Sequence, residues 1–179
     1  MSILRTNQIT DTAGTGSPSF PNGLAGISGV GKVLQVVNIS SSAFTTGTTT
    51  IPLDTSIPQN TEGTEFLTLA ITPTSASSKL HIQVSGMWSN DATNKWTTVA
   101  LFQDSTANAI AASLAFGASG TTGINPGLFH FMTAGTTSET TFKVRAGANA
   151  ASTTRMNGDA VNRYGGINSS NITITEIGA

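Results

Sequence analysis

Short runs of alternating apolar and polar residues recur along most of this chain, and they constrain its fold more than any other feature. In the clearest run, Leu80, Ile82 and Val84 alternate with polar residues. A period of two places alternate side chains on opposite faces of a β-strand, which is typical of a strand with one buried face. Further strands are predicted at 33–37, 48–51, 65–71, 96–102, 128–132, 140–145 and 171–177, the one at 48–51 being the weakest.

Turn-forming residues separate these runs. The segment 109–116 is ambiguous between a short helix and a strand, and Ser113 and Gly117 favour the strand. The loop at 90–94 is expected to join strands 80–84 and 96–102 as a hairpin. Eight or nine short strands with turns between them predict an all-β fold over residues 32–179, a jelly-roll-like antiparallel sandwich with almost no helix.

Charge is scarce in this chain, at 9% charged residues and a net charge of −1. Duplex nucleic acid is therefore an unfavourable partner, because its binding depends on many Lys and Arg side chains. A weakly charged surface also resists self-association poorly. We expect other subunits to cover it, the alternative being a monomer hydrated by its many hydroxyl groups. No apolar run approaches the roughly 18 residues of a membrane span, so no membrane association is expected.

The residues that could support chemistry are few. Cysteine is absent, which excludes disulfides and thiolate metal sites. His81 and His130 lie within predicted strands and lack the short spacing of a metal site, while the nine carboxylates are scattered. We therefore predict no enzymatic activity, no metal and no cofactor.

Two tryptophans flank the predicted loop at 90–94. Paired aromatic side chains at the rim of a loop could stack on a sugar, which makes Trp88 and Trp96 candidate glycan contacts. Alternatively, both close one end of the sandwich core, since tryptophan is usually well buried. We favour the core interpretation.

Residues 1–31 follow neither a helical nor a strand period and are rich in Gly and Pro, which predicts an extended N-terminal arm. Fully extended, the arm would reach on the order of 100 Å. Its apolar side chains are isolated, as expected of anchors that enter pockets on a partner, although a flexible tail is the alternative. The candidate attachment residues are Ile3, Leu4, Arg5, Ile9, Phe20 and Pro21.

Four stretches resemble small virion proteins of tailed bacteriophages, a group described as tail-fibre or head-decoration proteins. They are SILRTNQITDTAG at 2–14, SPSFPNG at 17–23, GKVLQVV at 31–37 and AITPTSASSKL at 70–80. These stretches contain 38 residues, the resemblance in and around them covers about 60, and it does not include the part from Asn108 onward. It implies a structural protein made in the host cytoplasm and located on the outer surface of the virion, with the homotrimer as its usual state.

Two functions are compatible with this resemblance. The first is a capsid decoration or cement protein, anchored by its arm to the major capsid protein or another virion protein. Its short length and its lack of heptads or repeats for a fibre shaft favour it. The second is a short tail fibre or fibre-tip adhesin that recognises a host surface glycan. A hydrolytic tail component is a weaker third, because clustered carboxylates are missing.

Overall fold

Strands dominate the computed structural model, which describes residues 31–179. The predicted arm at 1–31 lies outside the described residues except for Gly31. One turn of 3-10 helix, Tyr164–Gly166, interrupts the last loop. The strands are β1 (Val33–Ser41), β2 (Thr45–Gly47), β3 (Thr64–Ile71), β4 (Lys79–Ser85), β5 (Trp88–Asn90), β6 (Lys95–Gln103), β7 (Ala111–Gly117), β8 (Leu128–Thr133), β9 (Thr140–Ala148), β10 (Thr154–Met156) and β11 (Ser170–Ile177).

Eight of these strands form two four-stranded antiparallel sheets. The first sheet has the order β1-β11-β4-β8 and the second the order β3-β9-β6-β7. Counting only these eight in chain order, the first pairs with the eighth, the second with the seventh, the third with the sixth and the fourth with the fifth. This nested pairing is the jelly-roll topology. The three short strands form a small third sheet, in the order β2-β10-β5.

The core lies between the two main sheets. Ile82 and Ile174 from the first sheet join Val99 and Phe142 from the second in one buried cluster. Along β4 and β11 every second side chain is buried, as a two-residue period requires. The predicted all-β sandwich is thereby confirmed, and the ambiguous segment 109–116 contains strand β7.

Two sequence expectations were wrong in detail. The run at 48–51 is not a strand. Ile51 instead packs on the outer face of the second sheet with Ala100 and Phe102. Gly147 permits this close approach, since a Cβ there would lie 2.7 Å from the carbonyl oxygen of Thr49. The loop after Asn90 does not form a hairpin between β4 and β6. Those strands belong to different sheets, and β5 pairs with β10.

A buried carboxylate fastens the last strand to two other parts of the chain. Glu176 is fully buried, and one of its oxygens accepts a hydrogen bond from Gln35 Nε2 at 2.6 Å. The other accepts from Thr74 Oγ1 at 2.8 Å and from the Thr74 amide at 2.9 Å. Burial tends to raise the pKa of Glu176, but these donated hydrogen bonds outweigh it and lower the pKa to about 2. The side chain is therefore a carboxylate at neutral pH.

Candidate functional site

The six candidate attachment residues, Ile3, Leu4, Arg5, Ile9, Phe20 and Pro21, lie outside the described residues. Their role as anchors stays a prediction from the sequence.

Trp88 belongs to the core. It is fully buried, and its ring packs edge-on against Phe66 with the ring centroids 5.0 Å apart. Its backbone exchanges two 2.8 Å hydrogen bonds with Ile124. Trp88 therefore offers no ring face to a sugar, which corrects its nomination as a glycan contact.

Trp96 lies on the outer face of the second sheet and is 36% exposed. Its ring packs against that of Phe116, with the centroids 5.3 Å apart and the planes tilted by 57°. Leu114, two residues before Phe116 on β7, is exposed on the same face. Trp96 therefore belongs to an exposed apolar patch.

Each main sheet has an edge strand on the same side of the sandwich. In the described part of the chain, β7 pairs only with β6 and β8 only with β4, and β7 and β8 contact each other. Beside these edges, the outer faces carry large exposed apolar side chains, and neither strand contains Asp, Glu, Lys or Arg. We call this surface the open flank. It comprises β7, the part of β8 from residue 130 to 133, the exposed residues Trp96, Leu114 and Phe116 on the outer face of the second sheet, and Phe131 on the outer face of the first.

A second surface is a cleft at one end of the first sheet. Two neighbouring cavities of about 600 and about 310 Å³ share Asn125, and together they form what we call the amide cleft. One wall is the loop between β10 and β11, another is the loop between β7 and β8, and the floor is the outer face of β4 and β11. The polar and aromatic side chains that line it are Gln83, Ser85, Asn125, Phe129, Tyr164, Asn168, Asn171 and Thr173.

The loop between β10 and β11 is firmly held at its base. Asn157 donates to the carbonyl oxygens of Ser41 and Ala43, at 2.7 and 3.0 Å, and accepts from Ser170 Oγ at 2.7 Å. The carboxylate of Asp159 accepts from the amides of Asn162 and Val161, both at 2.7 Å. These bonds, with a further one from the Asn162 side chain, lower the pKa of Asp159. A rigid base therefore supports the tip that carries Tyr164.

The tip of this loop has an uncommon backbone. Tyr164, Gly165 and Gly166 all have positive φ angles, of 48°, 66° and 80°. The left-handed region is natural for glycine but strained for an aromatic residue, and such strain concentrates at functional sites. The Tyr164 side chain is 60% exposed and lines the amide cleft.

The two histidine side chains lie on opposite faces of the first sheet. His81 lies on the outer face of the first sheet near Phe131, with ring centroids 6.1 Å apart. His130 points toward the core side of β8, and partial burial lowers its pKa. Within residues 31–179, no group of three or more His, Asp or Glu side chains is placed to hold a metal ion. Across the same range, no helix is both long and apolar enough to cross a membrane.

Comparison with known proteins gave no family model that matches the chain and no match among curated proteins. Among solved structures, the C-terminal domain of EclA, described as a sugar-binding protein, has 15% identity and a TM-score of 0.35, with 85% of this chain and 96% of that chain covered. A structure of infectious bursal disease virus, Gx strain, has 10% identity and a TM-score of 0.38, with 80% of this chain and 38% of that chain covered. TM-scores this low support no conclusion about function.

Proposed function

We propose that this chain is a structural protein of a tailed-bacteriophage particle, a decoration protein held to the outer surface by its N-terminal arm. The observation that carries the proposal is the open flank, because a chain that exposes so many large apolar side chains beside two free sheet edges is suited to an assembly. The resemblance of residues 2–23 to virion proteins supports the same function. Jelly rolls are also common in viral capsid proteins, although that is an analogy of fold alone.

A second copy of the same chain is the partner proposed for the open flank. Unpaired edge strands invite pairing with another chain, and natural monomers usually protect them with charges or prolines. Neither β7 nor β8 contains Asp, Glu, Lys, Arg or Pro. The flank is rich in aromatic residues, as the centres of protein interfaces are. A cation lies at its border, where Lys79 Nζ donates a hydrogen bond to Thr133 Oγ1 on β8 at 2.6 Å. A closed assembly of identical copies would cover the flank, and we propose that this assembly is a trimer.

Phe116→Asp tests this assembly. The substitution would bury a carboxylate without a partner in the interface, so we expect subunit dissociation to become at least about a hundredfold more favourable. Analytical ultracentrifugation at micromolar concentration should show a trimer for the unaltered chain and a monomer for the variant. Val36→Asp is the matched control, because Val36 is 56% exposed on β1, at the opposite edge of the first sheet from β8. A monomeric unaltered chain, or a variant that assembles normally, would contradict the assembly.

A tail-fibre adhesin is the second candidate function, and the amide cleft is the observation that favours it. The decoration protein and the adhesin differ in number per particle. A decoration protein covers the shell in hundreds of copies, whereas a fibre protein is present as a few oligomers. Copy number in purified virions therefore separates the two.

A further inference from the structure

We propose that the amide cleft is a binding site for a neutral oligosaccharide. The inference does not depend on whether the chain lies on the head or the tail of a particle. It rests on the chemistry of the lining side chains, on their free hydrogen-bonding groups and on the rigidity of the loop that forms one wall.

The lining chemistry selects against charged ligands. None of the residues that line the two cavities is Asp, Glu, Lys, Arg or His. A phosphate, sulfate or carboxylate group that bound here would lose hydration and gain no cationic hydrogen-bond donor, so its binding would be unfavourable. Amide side chains both donate and accept hydrogen bonds, as sugar hydroxyl groups do. Gln83, Asn125, Asn168 and Asn171 supply four such amides.

Several of these amide groups are free to bind. Within residues 31–179, the side chains of Gln83 and Asn171 have no hydrogen-bond partner, and Asn125 uses only its oxygen, in a 3.4 Å contact with the Gly86 amide. Asn168 uses its nitrogen on the sulfur of Met87, which leaves its oxygen available. A ligand with several hydroxyl groups would pair with donors and acceptors that have no partner within residues 31–179.

Two exposed aromatic rings complete the site. Tyr164 lines the larger cavity and is 60% exposed, and Phe129 lines the smaller and is 67% exposed. The C–H face of a pyranose ring is apolar and packs on an aromatic face, while its hydroxyl groups remain at the edge for the amides. The two cavities, of about 600 and about 310 Å³, are each within the range of about 300–1,000 Å³ that small ligands occupy, and both are broadly open to solvent. With one ring in each cavity, the cleft fits more than one sugar unit.

The site is also built before any ligand arrives. The hydrogen bonds of Asn157 and Asp159 fix the base of the loop that holds Tyr164. Fixing a loop in advance reduces the entropy lost on binding. The strained backbone at Tyr164 is consistent with a side chain held in place for contact.

The experiment uses the full chain on an array of neutral oligosaccharides of glucose, galactose, mannose and N-acetylhexosamines, with sulfated and sialylated forms of the same backbones. Isothermal titration then measures the affinity for each oligosaccharide retained. The variants are Tyr164→Ala, Tyr164→Phe and Asn125→Ala, which change two different loops. Ile57→Ala is the control for loss of an exposed apolar side chain, because Ile57 is 53% exposed between β2 and β3, lines neither cavity and lies outside the open flank.

We expect at least one neutral oligosaccharide to bind and its charged forms to bind no more tightly. Tyr164→Ala and Asn125→Ala should each weaken binding by about tenfold or more, while Tyr164→Phe and Ile57→Ala retain it. Three results would overturn the proposal: no neutral oligosaccharide bound at millimolar concentration, tighter binding of the charged forms, or unchanged binding in both cleft variants. None of these three results changes the outcome expected for the oligomeric state or for the copy number in virions. Failure of the oligosaccharide proposal can therefore be told apart from failure of the virion proposal.

Discussion

Replacing Glu176 with glutamine should lower the free energy of unfolding at pH 7 by about 3 kcal/mol. The carboxylate accepts hydrogen bonds from Gln35 and Thr74 in a fully buried setting. An amide in its place would turn an NH₂ group toward at least one of those donors and leave it without an acceptor. Urea unfolding followed by circular dichroism measures the difference.

Glu139→Gln is the matched control, because it makes the same chemical change at an exposed position. We expect a change within about 0.5 kcal/mol there. Equal effects of the two substitutions would show that Glu176 does not fasten β1 and the loop between β3 and β4 to β11.

The contribution of Glu176 should also depend on pH. Its pKa is lowered from 4.5 to about 2 in the folded chain. A carboxyl group whose pKa is lower in the folded state stabilises the fold fully at pH values above its unfolded-state pKa. This stabilisation is lost progressively as the pH falls toward the folded-state pKa. The stability difference between the unaltered chain and Glu176→Gln should therefore be largest above about pH 5 and shrink between pH 4.5 and 2. A difference that is constant over this range would contradict the assignment.

A variant that begins at Gly31 should fold and assemble but lose nearly all binding to particles stripped of the protein. Within the described residues 31–179, a continuous cluster of buried side chains joins the two main sheets, so we expect this part to fold without the arm. Burying one apolar anchor contributes roughly 1.5–3 kcal/mol, and three arms acting together would hold a trimer firmly. A single arm would gain much less, because ordering each residue costs about 1–2 kcal/mol. Cosedimentation with stripped particles measures the loss.

Two full-length variants separate the anchors from the length of the arm. Serine at Ile3, Leu4, Ile9 and Phe20 should reproduce the effect of truncation, whereas serine at Thr12 and Thr15 should have little effect. If the chain beginning at Gly31 binds stripped particles as tightly as the full chain, the arm is not the attachment element, and the attachment surface lies on the sandwich.

Local periodicity was sufficient to predict most strands of the two main sheets, but not how those strands pair and not the small third sheet. Leu80, Ile82 and Val84 face the core as their alternation requires. In contrast, β5 and β10 are three residues each, too short to show a period, and they are strands only because the fold brings them together. Ile51 was predicted to lie in a strand but does not. It is buried because it packs on the outer face of the second sheet.

The two candidate surfaces were harder to predict. On β8 the apolar residues occupy both faces, and the register with β4 turns Leu128 inward and Phe129 and Phe131 outward. A sequence period alone would favour burying the phenylalanines. The amide cleft joins Gln83, Asn125 and Tyr164 from distant parts of the chain. Its local signal, the turn-rich run YGGINSSN at 164–171, indicates a loop but not what the loop faces.

Quantitative mass spectrometry of purified virions tests the central proposal most directly. We expect this chain in hundreds of copies per particle, counted with the major capsid protein as the reference. We also expect it to leave the particle as trimers when it is released. A few copies per particle would instead favour a tail-fibre protein. Its absence from purified particles, despite expression in the infected host, would contradict a structural role in the virion.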